Sequence, residues 1–252
     1  MKKTEKSDSK SSSDAHASGW RVDEGISSTR AKSLSRERFG KFAQNYVNSQ
    51  THAKGYDLER MLEIAQPQDD WLVLDIATGG GHTALNFAPQ LKKVIATDIT
   101  PKMLDAARQH ITGQGITNVD FEPADAENLP FEDETFDMVT CRIAPHHFPN
   151  CAGFVQEAAR VLKAGCLLLV QDQVLSEDAA TAQFMDDFER TRDPSHHRAF
   201  SRSQWMAMFE VTGLAVEHSE EITKRHNLIH WVETQGHRPE LVEELRLRLI
   251  DA

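Results

Sequence analysis

Short apolar runs alternate with helical stretches through the middle of the chain. Five runs of five or six residues are mainly apolar, and they occupy residues 71–76, 94–98, 119–123, 136–141 and 166–170. Between several of them, apolar positions recur every three to four residues, as on one face of a helix, over 83–91, 101–111 and 154–162. Strands that alternate with helices form βαβ units and a parallel sheet. The pattern therefore predicts an α/β fold, with a Rossmann-like, doubly wound and mostly parallel sheet.

The N-terminal part of the chain has a different composition. Residues 1–38 are rich in Ser, Lys and Asp and contain few large apolar side chains, which is typical of a disordered tail. From Phe39 to Val47, apolar side chains recur at helical spacing, and a second helix is predicted over 58–65. We therefore expect a disordered tail followed by one folded domain over 39–252.

Beyond the fifth predicted strand the periodicity is looser. It predicts helices over 179–192 and 203–211, followed by a strand over 214–222. The chain then ends in a charged helix that finishes at Ile250. These elements are expected to complete the same domain.

The composition excludes several classes of protein. The chain has 28 Lys and Arg residues against 39 Asp and Glu, so its net charge of −11 would repel a phosphate backbone. The longest apolar run, 166–170, is far shorter than the roughly 20 residues that cross a bilayer. The N-terminus lacks the apolar stretch of a secretory signal, and Cys141, Cys151 and Cys166 form no C-x-x-C pair. We expect a cytoplasmic protein without a membrane span or a nucleic acid partner; its oligomeric state is left open.

A glycine-rich loop follows the first predicted strand. Asp75 closes that strand, and Gly79, Gly80 and Gly81 lie before the next helix. Glycines let the backbone approach a ligand closely, and the first turn of a helix offers free N–H groups to that ligand. The spacing Gly79-x-Gly81-x-x-Ala84 also satisfies the G-x-G-x-x-G/A pattern of nicotinamide dinucleotide enzymes. The loop alone therefore leaves the identity of the ligand open.

Two more acids end the second and third predicted strands. Asp98 stands 23 residues after Asp75, where a carboxylate can accept hydrogen bonds from a ribose diol of either ligand. Its alternative role is to cap the next helix, although Thr100 could do so instead. Asp125 adds a carboxylate where the amino group of an adenine needs an acceptor, and its alternative is a solvated loop acid. We expect the three acids to lie at one ligand site.

In this order, the motifs resemble those of the class I S-adenosylmethionine-dependent methyltransferases, in particular the small-molecule group related to the ubiquinone/menaquinone C-methyltransferases. The resemblance covers about residues 40–220 and includes the segments 129–137 and 157–165. In that family the loop reads acid-x-Gly-x-Gly-x-Gly, and Ala77 replaces the first glycine here. The resemblance implies S-adenosylmethionine as the cofactor. It also implies these cofactor-binding residues: Asp75, Ala77, Gly79, Gly80, Gly81, Asp98, Ile99, Met103, Asp125, Ala126, Arg142 and Tyr46.

The same resemblance describes the edges of the domain. The family's sheet normally has a last antiparallel strand between the fifth and sixth strands, and no apolar run after residues 228–232 could form it. That strand is therefore expected to be missing. Residues 174–213 are expected to cap the acceptor side of the site. Ser49 and His52, beside Tyr46, are extrapolated as further cofactor contacts from a helix that closes over the cofactor in this fold.

Histidines mark the expected acceptor side. His146 and His147 follow the fourth predicted strand, and His196 lies in the segment 189–198; both regions resemble a subgroup of methyltransferases. The three are candidate catalytic residues because imidazole can take a proton from an acceptor near neutral pH, although each could instead pack the pocket wall. Adjacent histidines in an extended chain point to opposite sides and cannot share an ion, so we expect no metal.

The resemblance thus implies an enzyme that transfers the methyl group of S-adenosylmethionine to a small-molecule acceptor, with quinone-like molecules among the candidates. A nicotinamide-dependent oxidoreductase remains an alternative, but it leaves Asp125 unexplained. A non-catalytic S-adenosylmethionine-binding regulator is a second alternative. Arg192, Asp193 and Arg198 could form either a salt-bridged cluster or a clamp for an anionic acceptor.

Overall fold

The computed structural model of the chain describes residues 1–3, 27–49, 55–236 and 238–251. The strands are β1 (Lys2–Lys3), β2 (Leu72–Ile76), β3 (Lys93–Asp98), β4 (Val119–Pro123), β5 (Phe136–Arg142), β6 (Leu162–Gln171), β7 (Val174–Leu175), β8 (Phe200–Ser201) and β9 (Leu214–Ala215). The α-helices are α1 (Ser28–Val47), α2 (Tyr56–Ala65), α3 (His82–Phe87), α4 (Pro101–Gly113), α5 (Cys151–Val161), α6 (Ala179–Arg192), α7 (Arg202–Val211), α8 (Leu228–Glu233) and α9 (Pro239–Ile250). Two short 3₁₀ helices cover Ala88–Gln90 and Pro145–His147.

The main sheet has the strand order β4-β3-β2-β5-β6-β1-β9 among the described residues. The five strands from β4 to β6 in that order are parallel, with Val73 opposite Val94 on one side and Met138 on the other. This confirms the predicted Rossmann-like, mostly parallel sheet. The strand order reverses at β2, which has β3 on one side and β5 on the other, and open α/β sheets bind ligands in the crevice at such a point.

The sheet has an apolar core on each face. Leu74 and Ile76 belong to a cluster that includes Phe154 of α5, whereas Val73 belongs to a second cluster with Phe87 of α3. Alternate residues of a strand point to opposite faces, so a strand covered on both sides must be apolar throughout. Burying each of these large side chains contributes about 1.5–3 kcal/mol, which explains the uninterrupted apolar runs.

The antiparallel strand expected to be missing from the end of the chain has no counterpart after Ala215 in the described residues, but its position in the sheet is occupied by another segment. Strand β1 lies antiparallel between β6 and β9, with Lys2 opposite Leu167 and Ala215. The position is therefore filled from the N-terminus, while the part after Ala215 supplies no strand among the described residues. Two lysines carry no apolar period, so the sequence pattern gave no sign of this pairing.

The N-terminal tail also differs from its prediction. Helix α1 begins at Ser28 rather than near Phe39, and residues 4–26 lie outside the described part. The buried residues of α1 are the small Ala31, Ser35 and Ala43, so its first half lacks the large apolar side chains that reveal a helix.

Two predicted elements have different bounds. The strand predicted over 214–222 is only Leu214–Ala215, which pairs with Lys3 and Lys2 of β1. Helix α5 ends at Val161 and β6 begins at Leu162, so Gly165 lies in a strand with φ of +73° rather than at a helix end. The helices predicted over 179–192 and near the C-terminus are confirmed. No helix in the described ranges is long and apolar enough to cross a membrane.

Candidate functional site

A first cavity of about 110 Å³ lies at the carboxyl ends of β2 to β5. Ten of the twelve predicted cofactor-binding residues border it: Ala77, Gly79, Gly80, Asp98, Ile99, Met103, Asp125, Ala126, Arg142 and Tyr46. Asp75 and Gly81 do not. Helix α1 covers the cavity with side chains that were not predicted, Lys32, Ser35 and Phe39 among them. We call this space the donor cavity. It is smaller than the roughly 300–1,000 Å³ that is usual for small-molecule pockets.

The glycine loop takes a tight left-handed course. Ala77, Gly79 and Gly81 have φ of +53°, +55° and +81°, so Ala77 adopts a conformation that normally favours glycine. A Cβ on Gly80 would lie 3.1–3.2 Å from backbone atoms of Tyr46 and Val47, so the loop passes directly under the end of α1. A Cβ on Gly81 would lie 2.8 Å from Ile111 Cδ1, so this glycine serves the packing of α4 against the loop.

Asp75 supports the loop from below. It is fully buried, and its two carboxylate oxygens accept hydrogen bonds from Thr140 Oγ1 at 2.7 Å and Thr78 Oγ1 at 2.6 Å. Burial raises the pKa of Asp75 to about 6, and the two hydroxyl donors oppose that shift. The carboxylate therefore fixes the loop to the neighbouring strand β5 rather than bordering the cavity.

Asp98 does border the cavity, at the end of β3. Its Oδ2 accepts the N–H of Gly79 at 3.1 Å, and its Oδ1 accepts the N–H of Thr100 at 2.8 Å. Burial raises the pKa of Asp98 to about 6, although both backbone donors favour the ionised form. Asp98 thus fixes the turn before α4, whose N-cap is Thr100, and it also borders the donor cavity.

Asp125 is held by a residue that was not predicted. Lys32 Nζ of α1 lies 2.7 Å from Asp125 Oδ2 and 2.6 Å from Glu127 Oε2. Burial lowers the pKa of Lys32, but the bonds to both carboxylates outweigh it and the pKa is raised. Lys32 therefore anchors the first half of α1 to the loop that follows β4.

Two buried hydroxyl groups of the donor cavity have no hydrogen-bond partner in the described structure. These are Ser35 Oγ on α1 and Thr100 Oγ1 at the start of α4. A buried polar group that lacks a partner costs about 1–3 kcal/mol, so such groups indicate where a polar ligand belongs. Both line the donor cavity, so a ligand that carries hydroxyl groups fits them.

Arg142 ends β5 and belongs to a buried charged cluster. Its Nε donates to Asp57 Oδ2 of α2 at 3.0 Å, and Lys224 Nζ lies 2.8 Å from the same oxygen. Burial raises the pKa of Asp57, but the charges of Arg142 and Lys224 outweigh it and hold the pKa below its usual range. The cluster ties the donor cavity to α2 and to the segment before α8.

A second, larger cavity of about 1700 Å³ lies beyond the first. Its lining mixes strand β6 with parts of α2, α6 and the segment before α8, and it includes His146 and His147. We call it the acceptor-side cavity. Four residues border both cavities: Phe39, Tyr46, Ile143 and His147. These four form what we call the shared wall between the two cavities.

The three candidate histidines have different surroundings. His147 is partly exposed, and its ring packs edge-on against Phe39 with centroids 4.9 Å apart. His146 is buried and borders only the larger cavity. His196 borders neither cavity: its Nε2 donates to Asp186 at 2.6 Å and its Nδ1 accepts from Gln173 at 3.2 Å. The structure thus brings His146 and His147 to the site and uses both ring nitrogens of His196 within the cap.

The charged segment after α6 is internally paired. Arg192 Nη2 lies 2.9 Å from Glu189 and its guanidinium stacks on Trp231, while Arg198 stacks on Phe200. This arrangement favours the salt-bridged cluster over the anion clamp. In the part of the chain that the structure describes, no group of three metal-ligating side chains could hold an ion.

The sequence pattern missed the contribution of α1. Lys32, Ser35, Phe39 and Tyr46 follow one another at steps of three, four and seven residues, which places them on one face of a helix. That spacing was present in the sequence, but the polar first half was interpreted as part of a tail. His52 lies outside the described residues, and Ser49 does not border the donor cavity.

Comparisons with known proteins agree with this architecture. A family model described as a methyltransferase domain matches residues 67–230. The uncharacterized methyltransferase YcgJ of Bacillus subtilis is 38% identical over 198 residues, which are 79% of this chain and 78% of that protein. The crystal structure of YcgJ superposes with a TM-score of 0.75 at 36% identity, over 78% of this chain and 84% of that one.

A second group of relatives is matched over a shorter span. The ubiquinone/menaquinone biosynthesis C-methyltransferase UbiE of Marinomonas sp. is 36% identical over 120 residues, which cover 46% of this chain and 48% of that protein. The chain therefore belongs to the methyltransferase-domain family, in the S-adenosylmethionine-dependent class I group. S-adenosylmethionine is the cofactor, and the buried hydroxyls of Ser35 and Thr100 in the donor cavity fit a ligand that carries hydroxyl groups.

Proposed function

We propose that the chain transfers a methyl group from S-adenosylmethionine in the donor cavity to a small molecule in the acceptor-side cavity. The shared wall carries this proposal, because donor and acceptor must meet in line across a short distance. The bound cofactor supplies an activated methyl group on a sulfonium sulfur. Phe39, Tyr46 and Ile143 would exclude water from the transfer path, and His147 is the ionisable ring at the wall that we propose as the base.

The individual contacts with the cofactor are also part of the proposal. Asp98 and Ser35 would bind the ribose, and Asp125 with the Ala126 backbone would bind the adenine. Arg142, which borders the donor cavity, would contact the methionine part. Asp75 and Gly81 would act indirectly, since they shape the loop without bordering the cavity.

The acceptor is proposed to be a small molecule of quinone-like kind. The names of the UbiE relatives support that chemistry, and Trp71, Trp205 and Trp231 give the larger cavity aromatic surface. The net charge of −11 opposes a nucleic acid acceptor. A cytoplasmic location stays a proposal, with which the free Cys141 and Cys151 agree.

Calorimetric titration with S-adenosylmethionine and, separately, with NADH tests the cofactor. We expect micromolar binding of S-adenosylmethionine alone, weakened at least tenfold in Asp98→Ala, because a charged hydrogen bond contributes about 1.5–3 kcal/mol. Asp105→Ala, an exposed acid on α4, is the matched control and should bind as the unmodified chain does. Binding of NADH in preference to S-adenosylmethionine would favour the oxidoreductase alternative, and the donor cavity would then be assigned to a nicotinamide dinucleotide.

A screen of hydroxylated small molecules with S-adenosylmethionine tests the reaction itself. Formation of S-adenosylhomocysteine that depends on one acceptor and is lost in His147→Ala would support the proposed transfer. Binding of S-adenosylmethionine without turnover of any acceptor would favour the regulator alternative. Full turnover in His147→Ala would remove that histidine from the reaction.

A further inference from the structure

His146 and His147 are neighbours with different partners. Their ring centroids lie 4.1 Å apart. His146 donates from Nδ1 to Asp172 Oδ1 at 2.6 Å, and its backbone N–H donates to Asp172 Oδ2 at 2.8 Å. His147 Nδ1 lies 2.9 Å from the carbonyl oxygen of Ser195. A carbonyl oxygen can only accept, so Nδ1 of His147 carries the hydrogen and the lone pair of the neutral ring is on Nε2.

Asp172 is a buried partner for His146. The side chain of His146 is 6% exposed and that of Asp172 is 2% exposed, so water does not screen the pair. Burial lowers the pKa of His146, but the charge and hydrogen bond of Asp172 outweigh it, with further help from Glu189 and Asp193, and the pKa is raised. His146 therefore keeps its second ring proton to a higher pH than an ordinary histidine does.

Asp193 acts on His147 through Ser195. Its Oδ1 accepts the backbone N–H of Ser195 at 2.8 Å and the Ser195 hydroxyl at 2.5 Å, which fixes the loop that presents the carbonyl to His147. Its Oδ2 accepts from the side-chain amide of Gln235. Burial and the nearby charge of His146 lower the pKa of His147 well below its usual range, although Asp193 and the hydrogen bond to Ser195 oppose them. His147 is therefore favoured as a neutral ring.

We propose that Asp172 and Asp193 are positioning residues that give the two neighbouring histidines opposite tasks. Asp172 holds His146 as a cation at the acceptor-side cavity. Asp193, through Ser195, orients His147 at the shared wall with Nε2 ready to take a proton. The inference rests on the proposed function and names chemistry that neither the family match nor the relatives assign. In enzyme sites, two titratable groups commonly take the roles of acid and base when their surroundings shift their pKa values in opposite directions.

The arrangement defines the kind of acceptor. As the acceptor's oxygen or carbon forms its bond to the methyl carbon, the carbon–sulfur bond breaks, sulfur keeps the electron pair, and the acceptor's proton passes to Nε2 of His147. Asp193 stabilises the imidazolium that results, and His146 stabilises the negative charge that develops on the acceptor. A weak base can deprotonate only an acidic acceptor. The acceptor therefore has an ionisable phenol or enol hydroxyl, and the methyl group is transferred either to its oxygen or to the carbon that shares the negative charge of the anion.

NMR titration of the full chain labelled in its histidine rings tests this inference, with His146→Gln and His147→Gln used to assign the signals. In the unmodified protein, His146 should titrate above pH 6.5 and His147 below it. Asp172→Asn should lower the pKa of His146 by about one unit or more, because the carboxylate that stabilises its charged form is lost. The pKa of His147 should then rise, because the positive charge of His146 beside it is lost. Asp193→Asn should lower the pKa of His147 further.

The control is Asp187→Asn, an exposed acid on the same helix as Glu189, which should change neither titration. Titration of both histidines together near pH 6.5, or a larger effect of Asp193→Asn on His146 than on His147, would overturn the inference. If a variant does not fold, the titration of the unmodified protein still shows whether His146 and His147 have pKa values shifted in opposite directions. Failure to bind S-adenosylmethionine would instead overturn the proposed function, and calorimetry reports that separately.

Discussion

If Asp98 binds the cofactor as proposed, its buried carboxylate should make cofactor binding sensitive to pH. Its pKa is raised to about 6 by burial in the ligand-free protein. A ribose diol donates two hydrogen bonds and therefore binds the ionised form. The affinity for S-adenosylmethionine is therefore highest well above pH 6 and decreases as the pH falls through that value. The dissociation constant for S-adenosylmethionine should rise about twofold at pH 6 and about tenfold at pH 5, which is about 1.4 kcal/mol.

Calorimetry between pH 5 and 7.5 measures this effect, and buffers of different ionisation enthalpy should report proton release near pH 6. Asp98→Asn should bind more weakly at pH 7.5 and lose the pH dependence. Asp75→Asn should retain the pH dependence, although Asp75 has a pKa raised equally to about 6, because its carboxylate does not border the donor cavity. An unchanged dissociation constant at pH 5 in a folded sample, or a dependence that survives in Asp98→Asn, would refute the reasoning.

Three further substitutions test the packing around the site. Ala77→Gly should raise the free energy of unfolding by about 0.5–1 kcal/mol in urea denaturation, because it relieves a left-handed alanine, and a loss of stability would contradict this. Asp57→Asn should lower that free energy by about 3–5 kcal/mol, since Arg142 and Lys224 lose their buried counter-charge; a change below 1 kcal/mol would show that the pair is not buried in solution. Lys32→Gln should release S-adenosylmethionine about two- to fivefold faster in stopped-flow displacement, whereas Lys41→Gln on the same helix should match the unmodified rate.

The sheet could be predicted because its information is local. Most of the parallel strands are rich in apolar residues, and β2, β3 and β4 end within two residues of Asp75, Asp98 and Asp125, so these acids meet at one edge of the sheet. Asp98 and Asp125 were therefore placed at the donor cavity without any knowledge of contacts. The glycine loop after Asp75 was recognised in the same way.

The remainder depends on contacts between distant parts of the chain. Asp172 is an ordinary polar residue after β6, and only the packing of two strand ends brings it to His146. Lys2 pairs with Leu167 across most of the chain, and two residues are too few to show a period. The predicted helix began too late, at Phe39, because the side chains of Lys32 and Ser35 that line the donor cavity from the first half of α1 are polar.

One face of α1 serves both cavities, and this has a kinetic consequence. Lys32 and Ser35 cover the donor cavity, Phe39 and Tyr46 belong to the shared wall, and Asn45 donates to the carbonyl of Thr234 beyond α8. Because α1 lies over a donor cavity of only about 110 Å³, we expect exchange of the cofactor to need an outward movement of this helix, which would also displace the wall of the larger cavity. The two substrates would therefore follow a compulsory order, in which the methyl donor enters first and its demethylated product leaves last.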